Sequence, residues 1–163
     1  MADPAGTQTM ELIVNGRHRQ WQVAAGETLL EALRRHHVKG PKLVCGTGDC
    51  CACGVVLNGR SINSCCALAL GADGGEVLTV EGMARGGRLH PIQQAFAETG
   101  AAQCGFCAPG FIVRSHELLQ EHPDPTDEEI RFALAGNICR CTGYVKPVEA
   151  VKRAAQLLRQ TRL

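Results

Sequence analysis

Ten cysteines in 163 residues constrain this chain more than any other feature of its sequence. Clustered cysteines form disulfides, bind zinc or hold iron–sulfur clusters. Residues 1–10 contain neither a charged start followed by an apolar stretch nor a twin-arginine pair, so we expect no export signal. We therefore expect a cytoplasmic protein, and in that reducing compartment clustered cysteines more often bind metal than pair as disulfides.

Charge and hydropathy exclude two classes of partner. The chain carries 17 Lys and Arg against 16 Asp and Glu, a net charge of +1, so no global field attracts nucleic acid or anionic lipid. The apolar patch at residues 65–70 is far shorter than the roughly 20 residues that cross a bilayer. We expect no nucleic acid partner and no membrane span.

The first half of the chain predicts a small α+β unit. Asn15-Gly16 and Asn58-Gly59 each separate two apolar runs, which is a strong signal for a β-hairpin. Residues 27–37 predict a helix, because their leucines share one face among good helix formers. Residues 77–80 predict one further strand.

The second half predicts helices. Glycine-rich residues 71–87 mark the junction, and we place the domain boundary between residues 82 and 83, giving domains 1–82 and 83–163. Helices are predicted at residues 91–99 and 109–121. A third begins at the capping box of Thr126 and Glu129 and ends at Gly136. The last carries apolar residues at helical spacing, namely Val148, Val151, Ala155 and Leu158.

Four cysteines of the first half follow the plant-type 2Fe-2S spacing, Cys-x4-Cys-x2-Cys and a fourth after eleven intervening residues. They are Cys45, Cys50, Cys53 and Cys65. Such a loop needs small residues so that backbone N–H groups can approach the sulfides, and glycine or alanine at 46, 48, 52 and 54 meets that need. Zinc, the alternative, usually binds cysteines at shorter and more even spacings.

Four cysteines of the second half form a Cys-x2-Cys motif and, after 31 intervening residues, a Cys-x-Cys motif. They are Cys104, Cys107, Cys139 and Cys141. Each pair precedes or opens a predicted helix, whose N-terminus would direct partial positive charge at an anionic cluster. The pattern favours a second iron–sulfur cluster. A zinc site and a redox dithiol remain alternatives, because both use Cys-x2-Cys.

Three motifs together resemble a known family. They are the first cysteine set, the run Gln103-Cys-Gly-Phe-Cys-Ala-Pro-Gly110, and the run Gly136-Asn-Ile-Cys-Arg-Cys-Thr-Gly-Tyr144. In these the chain resembles the small 2Fe-2S (iron–sulfur) subunit of the xanthine oxidase family of molybdenum hydroxylases, from about Met10 to Leu158. The resemblance implies an N-terminal β-grasp, plant-ferredoxin-like domain followed by a C-terminal four-helix 2Fe-2S domain.

The resemblance also implies a function and partners. The chain would relay single electrons between the molybdopterin site of a large subunit and a medium, FAD-binding subunit or an external acceptor. The cluster on the second cysteine set would lie near the molybdopterin, with Gln103 and Cys141 contacting the pterin, and the other would lie toward the flavin. Such subunits assemble as heterotrimers or dimers of heterotrimers, and this chain would carry no catalytic residue.

Two functions of other classes remain alternatives. One is a free-standing two-cluster ferredoxin, although diffusible ferredoxins usually carry an acidic docking surface and this chain is nearly neutral. The other is a zinc-stabilised interaction module, which would be colourless.

Two further cysteines depart from the family pattern or duplicate it. Cys51 replaces a loop glycine, because the family usually reads Cys-Gly-Ala-Cys where this chain reads Cys-Cys-Ala-Cys. Cys66 lies next to Cys65. We interpret Cys51 as a spare thiol whose backbone still adopts the loop shape, and Cys66 as a small buried hydrophobic residue. An iron-ligand role remains the alternative for both. Arg140, between two predicted ligands, either tunes the cluster by its charge or contacts a partner subunit.

The six histidines form no recognisable ligand or acid–base pattern. His36 and His37 lie near a predicted helix end, where a cation is favoured, and we interpret them as solvated capping residues. His90, His116 and His122 are predicted at the surface.

Overall fold

The computed structural model describes residues 6–161 of the chain, so the first five residues of the segment examined for an export signal lie outside it. Its strands are β1 Gln8–Val14, β2 Arg17–Val23, β3 Gly54–Leu57, β4 Arg60–Asn63 and β5 Glu76–Leu78. Its helices are α1 Leu29–Arg35, α2 Val80–Met83, α3 Pro91–Glu98, α4 Ala108–Glu121, α5 Asp127–Leu134 and α6 Val145–Thr161. The predicted α+β class is confirmed.

Five strands form one mixed sheet in the order β2-β1-β5-β3-β4. Both predicted hairpins are present, β1–β2 and β3–β4, and each turns at its Asn-Gly pair. All four turn residues have positive φ, for example 52° at Asn15 and 75° at Gly16, as a type I′ turn requires. β5 pairs parallel to β1 and antiparallel to β3, which joins the two hairpins.

Helix α1 packs on one face of this sheet. Met10, Leu12 and Val14 alternate with exposed residues along β1 and are buried against the helix side chains Leu29 and Leu33. Thr28 and Glu31 form a reciprocal capping box at the start of α1, which ends two residues inside the predicted range.

Helices α3 to α6 enclose a second core, which includes Ile92, Phe96, Phe111, Ile130 and Val151. All four predicted helices of this half are confirmed, with boundaries shifted by a few residues. Among residues 6–161, no helix is long and apolar enough to cross a membrane.

Residues 71–87, where the junction was predicted, include the end of a 3₁₀ turn at Ala69–Ala72, strand β5 and helix α2. The last strand was predicted through Val80 but stops at Leu78, because Thr79 turns the chain into α2. The Asn15 side chain accepts a 2.8 Å hydrogen bond from the Thr79 N–H, which ties this turn to the first hairpin.

The two halves meet where α4 crosses β3 and β4. A Cβ atom at Gly110 would overlap the carbonyl oxygen of Cys51, so backbone lies directly on backbone here. About two turns further along α4, the buried Glu117 carboxylate accepts hydrogen bonds from the Ser61 N–H, at 3.1 Å, and from the Ser61 hydroxyl, and pairs with the Arg114 guanidinium. A polar anchor and a close backbone contact therefore join the halves.

We expect Gly110→Ala to destabilise the protein by about 2 kcal/mol or more, because the new methyl group forces α4 away from the Cys51 carbonyl. Gly71→Ala is the matched control, since a Cβ there meets nothing within 4 Å. Urea unfolding followed by circular dichroism measures both. Equal stability of the two variants would contradict the close contact.

Glu117 should make the stability depend on pH. Burial raises the pKa of Glu117, but hydrogen bonds from Ser61 and the charge of Arg114 outweigh burial, so the pKa is lowered overall. A lowered folded-state pKa contributes stability above the unfolded value of about 4.3 that is lost as the pH falls through the folded-state pKa. Glu117→Gln should therefore flatten the acid limb of unfolding free energy against pH, whereas Glu128→Gln, at an exposed position, should not. Parallel acid limbs for wild type and Glu117→Gln would refute this role.

Candidate metal centres

The first cysteine loop lies between α1 and β3 and is held by backbone hydrogen bonds. The Lys42 N–H donates to the Ala52 carbonyl at 3.0 Å. Gly46 and Gly48 have φ values of 71° and 87°, in the left-handed region that glycine adopts without strain. A Cβ at Gly48 would lie 2.9 Å from the Cys66 sulfur, so this glycine is also needed for space. The expectation that the loop requires small residues holds at these two positions.

The four predicted ligands of this loop come together as two pairs. The Cys45 sulfur accepts hydrogen bonds from the N–H and the thiol of Cys50. The Cys53 thiol contacts the N–H and the thiol of Cys65, and both of these cysteines pack against Leu30. Since each iron of a 2Fe-2S cluster takes two of the four thiolates, the pairing fits a two-iron centre.

Hydrogen bonding and burial shift the pKa values of two of these thiols in opposite directions. Hydrogen bonds from the Thr47 N–H, at 3.5 Å, and from Cys50 lower the pKa of Cys45 to about 5, which favours its thiolate. Burial raises the pKa of Cys53. The buried thiol must therefore release a proton when it binds a metal, and a cation of the cluster supplies the charge that makes this favourable.

The second cysteine set also forms two pairs, each with one cysteine from each motif. The Cys141 thiol lies 3.6 Å from the Cys104 sulfur, and Cys107 hydrogen-bonds to Cys139. Cys104 and Cys141 are exposed, whereas Cys107 and Cys139 pack against the helical core. The arrangement again fits a two-iron centre, with one pair toward the surface and one toward the interior.

Helix ends and side-chain hydrogen bonds shape this second site. Cys107 is the N-cap of α4, and the loop of Cys139 precedes α6. Burial raises the pKa of Cys139, but hydrogen bonds from Thr142, at 3.2 Å, and from Cys141 outweigh it and lower the pKa to about 7. Burial and the Cys139 thiol raise the pKa of Cys107 to about 12.

Tyr144 holds the second ligand loop in place. Its hydroxyl accepts a 2.9 Å hydrogen bond from the Cys139 N–H, and its ring lies edge-on to Phe111 of α4 at 6.2 Å. Its φ is 68°, an unusual conformation for a residue with a side chain. The sequence motif contains this tyrosine, but nothing in its spacing predicted the hydrogen bond.

Gln103, the other predicted pterin contact, is exposed beside Cys104. Because Cys104 pairs with Cys141, the structure brings both predicted pterin contacts to the same exposed region.

The two additional cysteines differ in their surroundings. Cys66 was predicted to be buried, and this was wrong: it is exposed, and its sulfur lies 3.6 Å from that of Cys65. Cys51 has a φ of 55°, lies near Gly136 of the helical half, and lines a cavity of about 250 Å³ between the halves. Its backbone keeps the left-handed shape that a glycine adopts without strain, so the loop shape is retained although a cysteine occupies this position.

A hydrogen bond that the sequence did not predict joins the two ligand loops. The Ile138 N–H donates to the Cys50 carbonyl at 3.1 Å, and Ile138 directly precedes Cys139. Because these residues are far apart in the sequence, no local pattern signals the contact.

Two histidine predictions were wrong, and a third was wrong in part. His36 is the C-cap of α1, as predicted, but its ring is not solvated: it stacks on Trp21 with centroids 4.2 Å apart, and its buried Nε2 has no hydrogen-bond partner. His90 and His116, expected at the surface, are partly buried and lie edge-on to each other at 5.6 Å. The surroundings of these side chains depend on tertiary packing, which the periodicity of the sequence does not reveal.

Within residues 6–161, no three Cys, His, Asp or Glu side chains are grouped so that they could hold one metal ion. The eight cysteines of the two predicted sets instead form four pairs, two in each half of the chain.

Comparisons with known proteins match two segments of the chain to two iron–sulfur families. Residues 12–79 match the family of the 2Fe-2S iron-sulfur cluster binding domain, and residues 79–152 match the family of the 2Fe-2S binding domain. The chain is 44% identical to the nicotinate dehydrogenase small FeS subunit of Eubacterium barkeri, over 91% of this chain and 95% of the relative. It is also 44% identical to the xanthine dehydrogenase iron-sulfur-binding subunit of Escherichia coli O157:H7, over 89% of this chain and 92% of that subunit.

A solved structure shares the whole fold. A chain of quinoline 2-oxidoreductase from Pseudomonas putida 86 superposes with a TM-score of 0.92 and 33% identity, over 98% of this chain and 100% of that one. Because identity and coverage are high throughout, the chain belongs to the 2Fe-2S iron–sulfur subunits of the xanthine oxidase family of molybdenum hydroxylases.

Proposed function

We propose that this chain is the electron-transfer subunit of a multi-subunit molybdenum-containing hydroxylase or dehydrogenase. It relays single electrons between the molybdopterin site of a large subunit and a flavin subunit or external acceptor. The pairing of predicted ligand thiols, two pairs in each half, carries the proposal. Relatives named as small or iron–sulfur subunits of dehydrogenases support it. Substrate chemistry belongs to a partner chain, and no residue of this chain is catalytic.

Two sets of thiolates hold one 2Fe-2S cluster each in this proposal. The first set is Cys45, Cys50, Cys53 and Cys65, and the second is Cys104, Cys107, Cys139 and Cys141. Cys65 is preferred over Cys66 because it is buried and contacts Cys53, whereas Cys66 is exposed. When bound, each cluster accepts and returns one electron at a time.

The second site faces the molybdopterin subunit in the proposed assembly, with Gln103 and Cys141 contacting the pterin. Exposed apolar side chains around the second ligand loops support an interface here: Phe106 is 51% exposed and Val145 is 56% exposed. The first site faces the flavin subunit or acceptor. Leu43 and Val44, 57% and 54% exposed, directly precede Cys45 and form an apolar surface beside it.

The chain positions its two sites relative to each other through backbone contacts. The hydrogen bond from Ile138 to Cys50 joins the loops across a single N–H···O contact. The close approach of Gly110 to Cys51 keeps α4, which follows Cys107, against the first loop. Rigid spacing matters because electron tunnelling weakens steeply with distance.

The domain types, the cellular compartment and the subunit composition are also part of the proposal. Residues 1–82 form a β-grasp, plant-ferredoxin-like domain and residues 83–163 a four-helix 2Fe-2S domain. A helix packed on a five-stranded sheet, and a separate core shared by α3 to α6, support this division. We further propose a cytoplasmic heterotrimer, or a dimer of heterotrimers, with molybdopterin and FAD on the partner chains.

Native purification tests the proposed function. The chain should elute in a complex that contains molybdenum and a larger subunit. Elution of the native protein alone, without molybdenum, would contradict the subunit role and favour a free-standing two-cluster ferredoxin.

We expect Cys107→Ser to remove the second cluster and to abolish substrate-driven reduction of the acceptor, while the EPR signal of the first cluster persists in the folded fraction. The reason is that Cys107 is one of the two inner thiols of its site and caps α4. EPR of the reduced complex and steady-state turnover measure these effects.

Cys51→Ser is the matched control. It also replaces a thiol by a hydroxyl, but Cys51 lines the cavity between the halves and is not one of the eight proposed ligands. It should retain both EPR signals. Wild-type turnover in Cys107→Ser, or loss of the first signal in Cys51→Ser, would contradict the ligand assignment.

A further inference from the structure

A tight turn holds two arginines side by side in the connection between the halves. Arg85 and Arg88 form an antiparallel bridge with two N–H···O bonds of 3.0 Å. Gly86 and Gly87 between them have φ values of 57° and 75°, as in a type I′ turn. Directly opposed residues of such a bridge project to the same face, where two like charges repel each other.

Both arginines line a cavity of about 450 Å³. His90 and His116 line it as well, and its apolar walls are Leu78, Met83, Leu89 and Pro91. Among the described residues, no carboxylate lies within 4.0 Å of the Arg85 or Arg88 guanidinium. Glu81, on neighbouring α2, instead accepts hydrogen bonds from Gly40 and Thr79. Arg85 also lines an adjoining cavity together with Glu76 and Glu81, but neither arginine forms an ion pair within the described residues.

The histidines add donors without adding charge. The Nδ1 of His90 accepts a 3.3 Å hydrogen bond from the Ile92 N–H, so the proton of the neutral ring is on Nε2. Burial lowers the pKa of His90, and His116 and Arg85 lower it further. Burial also lowers the pKa of His116, whose buried Nδ1 has no hydrogen-bond partner.

We propose that this cavity binds the phosphate group of an organic phosphate monoester. A planar carboxylate is satisfied by one bidentate guanidinium, whereas a tetrahedral phosphate accepts hydrogen bonds from several directions. Two guanidinium groups from the turn, with an imidazole at the start of α3, supply such a set. The cavity is larger than a phosphate ion, and its apolar walls fit a carbon skeleton.

A ligand bound in this cavity would contact the arginine turn, the start of α3 and helix α4. The turn carries Arg85 and Arg88, α3 begins after His90, and α4 carries His116. A ligand that neutralises the arginine pair and contacts the histidines therefore stabilises the connection between the halves, so ligand binding should raise the melting temperature.

Calorimetric titration of the cluster-loaded, full-length protein with phenyl phosphate, inorganic phosphate and acetate tests the proposal, at ionic strength held constant with chloride. Phenyl phosphate should bind more tightly than inorganic phosphate and should raise the melting temperature. Arg85→Gln/Arg88→Gln should weaken its binding about tenfold or more, because charge-assisted hydrogen bonds are lost.

Arg60→Gln/Arg131→Gln removes the same charge from exposed positions outside this cavity and should leave binding unchanged. Both double variants alter exposed side chains, and circular dichroism checks that each is folded. The proposal is overturned if phenyl phosphate does not bind, if acetate binds as tightly, or if the two double variants lose affinity equally.

Discussion

A two-iron centre needs two thiolates on each iron, and this requirement is reflected in both halves of the chain. One pair of each site packs against a hydrophobic core: Cys53 and Cys65 lie beside Leu30, and Cys107 and Cys139 pack on the helical core. Burial raises the pKa of Cys53 and of Cys107, so these two thiols must lose a proton to bind a cluster, and cluster binding and folding are thermodynamically linked. A chain with only 4% aromatic residues has few large side chains for its cores, and a bound cluster in each half supplies additional cross-links.

The contact between the halves depends on backbone as much as on side chains. The absence of a side chain at Gly110 lets α4 rest on the Cys51 carbonyl, and the Ile138 N–H reaches the carbonyl of the neighbouring Cys50. Both contacts involve the loop of the first site, so the helix that follows Cys107 and the segment that precedes Cys139 are positioned against it. The buried Glu117 then fixes α4 to β4 through Ser61. The same interface that stabilises the fold therefore sets the distance between the sites.

Signals confined to a few consecutive residues were sufficient to predict much of the fold. Asn15-Gly16 and Asn58-Gly59 require positive φ wherever they occur, and the capping box of Thr126 and Glu129 forms within one helical turn. The spacing within each cysteine motif is equally local, and the thiols of each predicted set lie in pairs in the structure. The strand prediction failed at Val80, where contacts between Thr79 and the distant Asn15 accompany the change of direction. The stacking of His36 on Trp21 and the pairing of His90 with His116 depend on tertiary packing, so periodicity alone did not reveal them.

Iron and inorganic sulfide content, measured on the natively purified protein, tests the central claim most directly. The account predicts about four irons and about four acid-labile sulfides per chain, since two binuclear clusters are held by eight thiolates. Stoichiometric zinc in place of iron, or iron well below that content without matching sulfide, would contradict it.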